Sequence, residues 1–303
     1  MAEGRARTVG TAVVVRTERL SPHMVRLVLG GEELADFGAG AYTDHYVKLL
    51  FAPAGVNYPA PWDLERIRAD FPRAQWPRQR AYTVRHWDPV RLELTLDFVV
   101  HGDEGLAGPW AARVQPGEEV RFLGPGGAYA PDPTADWHLL VGDESALPAI
   151  AAAMERMPAG AEVHAFIEIE GPADELKVAT PDGITPVWLH RGDRPVGRML
   201  VEAVQALEFP SGDVHAFVHG EAGFVKDLRR HLRLERGVAR ERLSISGYWR
   251  LGETDEAGGP SSATGTRRSR RSRNTAPPPD PPARRRPEKP PPSPAGASPA
   301  PVP

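Results

Sequence analysis

The 303-residue chain contains no cysteine. Disulfide bonds, thiolate metal sites, cysteine-ligated iron–sulfur clusters and thiol catalysis are therefore excluded. Any redox chemistry would have to be carried by a bound cofactor. The chain also lacks an uninterrupted apolar stretch of membrane-spanning length and an N-terminal signal segment with a charged and then an apolar part. We therefore expect a cytoplasmic protein that makes no membrane contact.

Charge and proline are distributed unevenly. Residues 253–303 hold nine Lys and Arg and five Asp and Glu, which leaves 28 basic and 35 acidic residues before them. The same segment holds 14 of the 33 prolines and hardly a large apolar residue. Such a composition buries too little surface to offset chain entropy, so we predict a disordered tail. The alternative is an arm for nucleic acid or a membrane surface, but charge runs are more often only solvated, and we expect no nucleic-acid partner.

Two periodicities divide the rest of the chain. Up to residue 130, alternating apolar segments separated by Gly and Pro indicate short strands: Thr11–Arg16, Met24–Leu29, Tyr46–Phe51, Arg80–Arg85, Arg91–His101 and Glu119–Leu123. Over 131–252 strands alternate with helices: strands Trp137–Gly142, Glu162–Glu168, Pro186–His190, Val214–His219 and Leu243–Trp249, helices Ser145–Arg156, Gly197–Ala206 and Ala222–Arg233. We predict an antiparallel β-barrel domain over 1–130 and an α/β domain with a doubly wound parallel sheet over 131–252.

The most informative stretch is Arg80-Ala81-Tyr82-Thr83-Val84-Arg85. On an extended strand Arg80, Tyr82 and Val84 point to one face, and the other three side chains point to the opposite face. Guanidinium groups suit a pyrophosphate, a phenol can stack on a flavin ring, and a Thr hydroxyl can meet a ring nitrogen. The alternative is an ordinary amphipathic strand with two solvated arginines, because short motifs have false positives.

Further motifs follow in the chain. His101-Gly102 and Gly108-Pro109-Trp110-Ala111 flank a strand-to-helix turn that could bind an anion, although plain turns are commoner. Gly142-Asp143-Glu144-Ser145 follows a strand, where open α/β sheets place ligands, and its acidic pair favours capping of the next helix. His219-Gly220-Glu221-Ala222 fits a capped turn or a cofactor contact. These segments therefore predict ligand contacts without proving them.

Basic and aromatic residues complete the set. Arg191, Arg194 and Arg198 follow the predicted Pro186–His190 strand, where they could meet a nucleotide phosphate, although arginines in a loop are more often surface residues. Tyr248-Trp249-Arg250 ends the last strand, either as core or as a stacking platform. Lys48 lies on an apolar strand. It is either a lysine at the strand edge whose ammonium group extends into solvent or part of a basic entrance to a ligand site.

These motifs, in this order along the chain, resemble those of the siderophore-interacting protein family, and the resemblance covers about residues 8–252. The members of this family are flavin-dependent ferric-siderophore reductases and belong to the ferredoxin-reductase-like superfamily. The resemblance implies FAD as cofactor, NAD(P)H as electron donor and a ferric siderophore as substrate, with iron released as Fe(II). It assigns to the cofactors Arg80, Tyr82, Thr83, Arg85, His101, Gly102, Gly108, Trp110, Ala111, Asp143, Ser145, Ala146, Glu221, Tyr248 and Trp249. It assigns Lys48 and Arg250 to an anionic ferric siderophore, and no side chain to acid–base catalysis or metal binding.

Other partners remain open. A reductase fed by ferredoxin, a general flavin reductase and a flavin-free siderophore-binding module are the alternatives. Because acidic ferredoxins dock on basic patches and residues 1–252 are acidic overall, a nicotinamide donor is favoured. We expect a monomer. The chain departs from the family at two places. Family members usually continue after residue 252 with a helix that contains tryptophans, and some carry an additional basic residue where this chain has Gly126.

Overall fold

The computed structural model describes residues 9–103 and 105–252. All of them belong to one compact unit. The predicted disordered tail, 253–303, lies outside the described residues. Within the described ranges no helix is both long enough and apolar enough to cross a bilayer.

Six antiparallel strands form a closed barrel, which confirms the predicted architecture of the N-terminal part. They run around the barrel in the order β1-β2-β5-β4-β3-β6, and β6 pairs again with β1. Leucines on the inner face, such as Leu27, Leu49 and Leu96, are fully buried, because one face of each strand lines the core. The strands are β1 (Gly10–Ser21), β2 (Met24–Gly30), β3 (Tyr46–Phe51), β4 (Arg78–Asp88), β5 (Glu93–Val99) and β6 (Glu119–Gly126).

Two short helices lie between barrel strands. α1 (Leu64–Asp70) is absent from the sequence prediction, although its signals are in the chain. Asp63 precedes it and accepts hydrogen bonds from two amides of its first turn, at 2.9 and 3.1 Å. It ends where Phe71 adopts an extended conformation before a proline. α2 (Ala107–Ala111) follows β5 and begins where the sequence predicts a helix.

Five parallel strands form the second sheet, in the order β11-β10-β7-β8-β9. The central strand β7 is buried along its whole length, which is typical of a sheet covered on both faces. The strands are β7 (Trp137–Gly142), β8 (Glu162–Ile169), β9 (Val187–His190), β10 (Val214–Glu221) and β11 (Leu243–Trp249).

Helices cover both faces of this sheet. α3 (Leu147–Met154) packs in one apolar cluster with Leu140 and Ile167. α4 (Arg198–Ala206) and α5 (Ala222–Arg230) contribute to the other cluster, which contains residues of β7 that alternate with the first set. The predicted doubly wound α/β sheet is confirmed.

Several element boundaries differ from the sequence prediction, and three of them lie close to the motifs. α3 is two residues shorter at each end than the predicted helix Ser145–Arg156. β10 continues beyond His219 to Glu221 because β11 pairs with it up to Glu221. α5 ends at Arg230, where the chain continues as a π-helical turn over His231–Glu235. Pairing with a neighbouring strand and the local hydrogen-bond pattern, neither of which periodicity reports, set these limits.

The barrel and the parallel sheet contact each other on one side of the unit. Ser21 Oγ donates to one carboxylate oxygen of Asp174 at 2.7 Å, and His23 Nδ1 lies 2.9 Å from the other. Arg85 on β4 pairs with Glu155 at the end of α3, with Nη1 at 2.8 Å from Oε2. The ion pair of Arg85 holds the barrel strand that carries the hexamer motif against α3, and the contacts of Asp174 join the turn between β1 and β2 to the segment after β8.

Candidate functional site

The hexamer motif lies where β4 changes its partner. Residues 78–83 pair with β3, whereas the ladder to β5 runs only from Asp88 to Val84. A register shift between Val84 and His86 places Arg85 in a bulge. In the described part of the chain, the edge of residues 80–83 that faces away from β3 therefore pairs with no strand. Backbone amides and carbonyls on that edge are available to a ligand, since backbone polar groups need partners.

Arg80 and Tyr82 share one face of β4, as the alternation predicts. They lie opposite Leu49 and Val47 on β3, both fully buried. The Tyr82 ring packs on Phe98 with the ring centroids 4.1 Å apart. Arg80 and Tyr82 are themselves only partly buried. A guanidinium and a phenol thus flank the open edge of the strand.

Arg85 faces α3, on the side of β4 opposite the core residue Val84, as the alternation predicts. It sits in the bulge, and its guanidinium forms a two-pronged ion pair with Glu155. A phosphate that approached Arg85 would have to compete with this carboxylate. The structure therefore gives Arg85 a role in joining β4 to α3, and a phosphate contact for it stays a prediction.

Thr83 connects the barrel to the end of the parallel sheet. Its side chain is buried and lies near enough to the Tyr248 phenol on β11 to oppose the rise in the pKa of that phenol. Burial, the main cause, and the negative charges of Asp44 and Asp143 raise the pKa of Tyr248, so its phenol stays neutral. The hydroxyl that was predicted to meet a flavin nitrogen and the aromatic that was predicted to cover the flavin are therefore brought together.

The segment after β5 has mainly packing roles. α2 spans only five residues, so its N-terminal amides offer a weak anion site at most. A Cβ at Gly108 would lie 2.9 Å from the carbonyl oxygen of Val99, which explains the glycine by close approach of helix and strand. Trp110 packs edge-on against Phe51 and Phe98, at 5.3 and 5.8 Å between ring centroids.

Three more predicted residues of this segment differ in accessibility. Ala111 is buried. His101 and Gly102 are exposed just beyond the end of β5, and Gly102 has a φ of 54°. The exposed pair is accessible to a ligand, whereas Ala111 lies within the core.

Asp143 is the centre of the carboxyl edge of the parallel sheet. Its side chain is fully buried and accepts hydrogen bonds from the amide and hydroxyl of Ser145, at 3.0 and 2.5 Å. It also accepts from the Glu221 amide at 2.8 Å and from Trp249 Nε1 at 2.9 Å. Three predicted site residues, Ser145, Glu221 and Trp249, therefore meet at the carboxylate of a fourth, and the last two are distant from it in sequence.

Electrostatics makes this carboxylate unusual. Burial raises the pKa of Asp143 to about 6, although its hydrogen bonds to Ser145, Trp249 and Glu221 act in the opposite direction. The nearby His219 is also buried, and burial lowers its pKa to about 3, so its imidazole is neutral. The carboxyl edge beside Tyr248 thus holds one titratable group near neutral pH.

Glu221 and Ala146 close the turns that follow β10 and β7. Glu221 caps α5, and its carboxylate accepts from the amides of Gly223 and Phe224 at 2.5 and 3.3 Å. This is the capped turn that the sequence left open as an alternative. Ala146 precedes α3 as a buried residue, and no side chain caps that helix. The expectation that Asp143 and Glu144 cap α3 is wrong, because Asp143 binds the turn before the helix and Glu144 binds Arg191.

The loop arginines do not form the phosphate site that was considered for them. Arg191 is buried and bonds Glu144 and Glu168 with its Nη1, at 3.2 and 3.5 Å, and Glu144 and Glu170 with its Nη2, at 2.9 and 2.5 Å. Burial lowers the pKa of Arg191, but the bonds and charges of Glu144 and Glu170 outweigh it and raise the pKa overall. The residue pattern does not reveal this cluster, because its carboxylates come from the loop after β7 and from the end of β8, which are distant in sequence from each other and from Arg191.

Lys48 and Arg250 are each two residues away from a tyrosine of this region, Tyr46 and Tyr248 respectively. On β3, Lys48 is half-buried and shares a face with Tyr46, which lies opposite Thr83. Arg250 is exposed and follows Tyr248 by two residues. The Tyr46 ring occupies the space that a side chain at Gly126 would need. Tyr46 therefore explains why this chain has a glycine at the position where some family members carry a basic residue.

Comparison with known proteins identifies the family. The model for the siderophore-interacting FAD-binding domain matches residues 13–129, and the model for the siderophore-interacting protein matches residues 135–252. Ferric vibriobactin reductase ViuB of Vibrio cholerae is 34% identical over 252 residues, which cover 80% of this chain and 90% of ViuB. The chain belongs to the siderophore-interacting protein family.

Further relatives agree with this family. Protein Rv2895c of Mycobacterium tuberculosis is 49% identical over 257 residues, covering 80% of this chain and 90% of that protein. The NADPH-dependent ferric-chelate reductase of Escherichia coli is 30% identical over 239 residues, covering 78% and 91%. A crystal structure of a siderophore utilization protein from T. fusca has a TM-score of 0.72 at 37% identity and covers 83% of this chain and 96% of its own.

The barrel is thus an FAD-binding domain, and the residues present fit that group. The open edge at residues 80–83 offers backbone partners, Arg80 offers a cation, and Tyr82 offers a ring at the same edge. A flavin dinucleotide needs these three kinds of contact for its ring and its phosphates. Within the described ranges no cluster of His, Asp and Glu could hold a metal ion.

Proposed function

We propose that the protein is an FAD-dependent reductase that passes electrons from NAD(P)H to a ferric siderophore and releases the iron as Fe(II). Support comes from the family, from ViuB, which is named a ferric vibriobactin reductase, and from the E. coli relative, which is named an NADPH-dependent ferric-chelate reductase. The observation that carries the proposal is the proximity of buried Thr83, at the open edge of β4, to the Tyr248 phenol on β11. It joins the flavin edge of the barrel to the carboxyl edge of the parallel sheet, where dinucleotides bind in open α/β folds.

On the barrel side, Arg80, Tyr82 and Thr83 would hold the FAD. The Arg80 guanidinium binds the pyrophosphate, Tyr82 lies against the flavin, and Thr83 hydrogen-bonds the ring in place of its contact with Tyr248. The packing of Tyr82 on Phe98 fixes the phenol before the cofactor binds, which lowers the entropic cost of binding.

On the sheet side, Asp143 would position the residues that face the nicotinamide. It orients Ser145 through two hydrogen bonds and Trp249 through one, and it binds the amide of Glu221. Because all four donors converge on one buried carboxylate, the ends of β7, β10 and β11 are held as one rigid surface.

When bound, the flavin supplies the chemistry that connects a two-electron hydride donor to Fe(III), a one-electron acceptor, so one nicotinamide serves two ferric siderophores. The protein's residues bind and orient the two reactants. Lys48 and Arg250 would attract an anionic ferric siderophore. No side chain has to act as acid or base on the iron, because a siderophore that holds Fe(II) more weakly lets it dissociate.

Anaerobic stopped-flow spectroscopy tests this proposal. The purified protein should be yellow, and NADH or NADPH should bleach the absorbance of its oxidised flavin. Adding a ferric siderophore should then restore that absorbance, and a strong ferrous chelator should trap two Fe(II) per flavin. A colourless protein that FAD does not reconstitute would support the siderophore-binding alternative. Bleaching by reduced ferredoxin alone would move the donor site off the parallel sheet.

A further inference from the structure

The carboxyl ends of β8 and β9 lie beside the central strand β7, on the side away from β10. In dinucleotide-binding sheets of this kind, an acidic residue at the end of the second strand hydrogen-bonds the ribose 2′-hydroxyl of NAD, whereas an arginine nearby accommodates the 2′-phosphate of NADP. Here Glu168 lies near the end of β8 and Glu170 just after it, and Arg191 directly follows β9. The charges at this corner therefore bear on the choice between the two donors.

The arginine at this corner already has carboxylate partners. Arg191 is only 8% exposed and bonds Glu144, Glu168 and Glu170. Glu168 is fully buried, and its Oε1 also accepts from the Gly197 amide at 2.7 Å. Its Oε2 is buried and finds no hydrogen-bond donor among the described residues. The cluster thus contains more carboxylate oxygens than Arg191 can satisfy, and a further anion would have to displace one of them.

The two neighbouring arginines are engaged as well. Arg194 Nη1 lies 3.3 Å from one oxygen of Glu202, and Arg198 Nε lies 2.6 Å from the other. At this corner four carboxylates therefore face three guanidinium groups. Both ion pairs to Glu202 are exposed, so solvent screens them. They still leave no net positive charge for a phosphate.

Resting on the proposed function, we propose that the protein uses NADH in preference to NADPH and that Glu170 is the residue that excludes the 2′-phosphate. The Glu170 side chain is 44% exposed, whereas Glu144 and Glu168 are enclosed, so Glu170 is the carboxylate that an incoming nucleotide meets. A ribose 2′-hydroxyl can donate a hydrogen bond to it. A 2′-phosphate, which carries between one and two negative charges near neutral pH, is repelled by it.

The test compares NADH with NADPH in anaerobic flavin reduction by wild type, E170Q and E162Q. Glu162 is the matched control, because it starts the same strand at the opposite edge of the sheet and also pairs with a basic residue, His164, at 3.1 Å. Wild type should reduce its flavin at least about tenfold faster with NADH, expressed as a second-order rate constant. E170Q should lower the ratio of the NADH to the NADPH rate constant by about threefold or more. The change should come from a larger rate constant with NADPH, because the Gln side chain still offers the ribose of NADH a hydrogen-bond acceptor. E162Q should keep the wild-type ratio.

Calorimetric titration of the flavin-loaded protein with NAD⁺ and NADP⁺ gives a readout that does not depend on turnover. NAD⁺ should bind more tightly to wild type, and E170Q should gain affinity mainly for NADP⁺. Flavin reduction that is equally fast or faster with NADPH would overturn the inference and leave the proposed reductase intact. An unchanged donor ratio in E170Q would overturn the role of Glu170. Reduction by neither nucleotide would overturn the proposed function and the inference together.

Discussion

The buried carboxylate of Asp143 gives a pH dependence that can be measured. Burial raises its pKa from 3.8 to about 6, so the folded protein holds this proton more tightly than the unfolded chain does. The stabilising contribution is complete below about pH 4 and is lost as the pH rises through about 6. At about 1.4 kcal/mol per pKa unit, the loss amounts to about 3 kcal/mol in the free energy of unfolding.

Asp143→Asn separates this effect from the hydrogen bonds. In the variant, the side-chain amide nitrogen at this position would face either the two donors of Ser145 or the donors of Glu221 and Trp249. Each buried donor left without an acceptor lowers the free energy of unfolding by about 1–3 kcal/mol, and this cost is the same at every pH. The variant no longer titrates. The difference in unfolding free energy between wild type and variant should therefore shrink by about 3 kcal/mol between about pH 4 and pH 7.5.

Urea unfolding of the flavin-saturated proteins at several pH values measures this difference. Asp213→Asn serves as the control, because that carboxylate is 74% exposed and its replacement should give a curve parallel to that of wild type. The comparison between variants cancels the contributions of the other titrating groups. A difference curve for Asp143→Asn that stays flat over this range would refute the reasoning, because the carboxylate would then titrate alike in the folded and unfolded chains.

Three further outcomes are expected. Arg80→Ala should weaken FAD binding by roughly ten- to a hundredfold while the protein stays soluble; wild-type flavin occupancy after purification, with Arg16→Ala as the control, would contradict the assignment. Replacing Lys48 and Arg250 together by Ala should raise the KM for an anionic ferric siderophore, most at low salt, and leave flavin reduction unchanged; an equal rise for a neutral ferric chelate would argue against a charge effect. Deleting residues 255–303 should leave flavin content and melting temperature within error, and a lower melting temperature would show that the tail docks.

The sequence by itself determined the two architectures and the positions of most motifs. Period-two apolar segments specify strands with one buried face, and the change to alternating strands and helices specifies a parallel sheet, because each pattern can bury its apolar side in only one way. β11 has the predicted limits, Leu243–Trp249, and α2 begins where the glycine-rich turn predicts a helix. These features depend on neighbours in the chain, which a sequence displays directly.

Tertiary structure alone decided which of these residues meet and what charge they carry. The ion pair of Arg85 with Glu155 depends on the packing of α3 against β4, and the convergence on Asp143 depends on the order of strands in the sheet. The carboxylate partners of Arg191 come from the loop after β7 and from the end of β8, so an arginine that follows a strand and would be expected at the surface is enclosed. Pairing across the sheet and burial act between residues distant in sequence, and a pKa or an ion pair follows from that environment rather than from residue type.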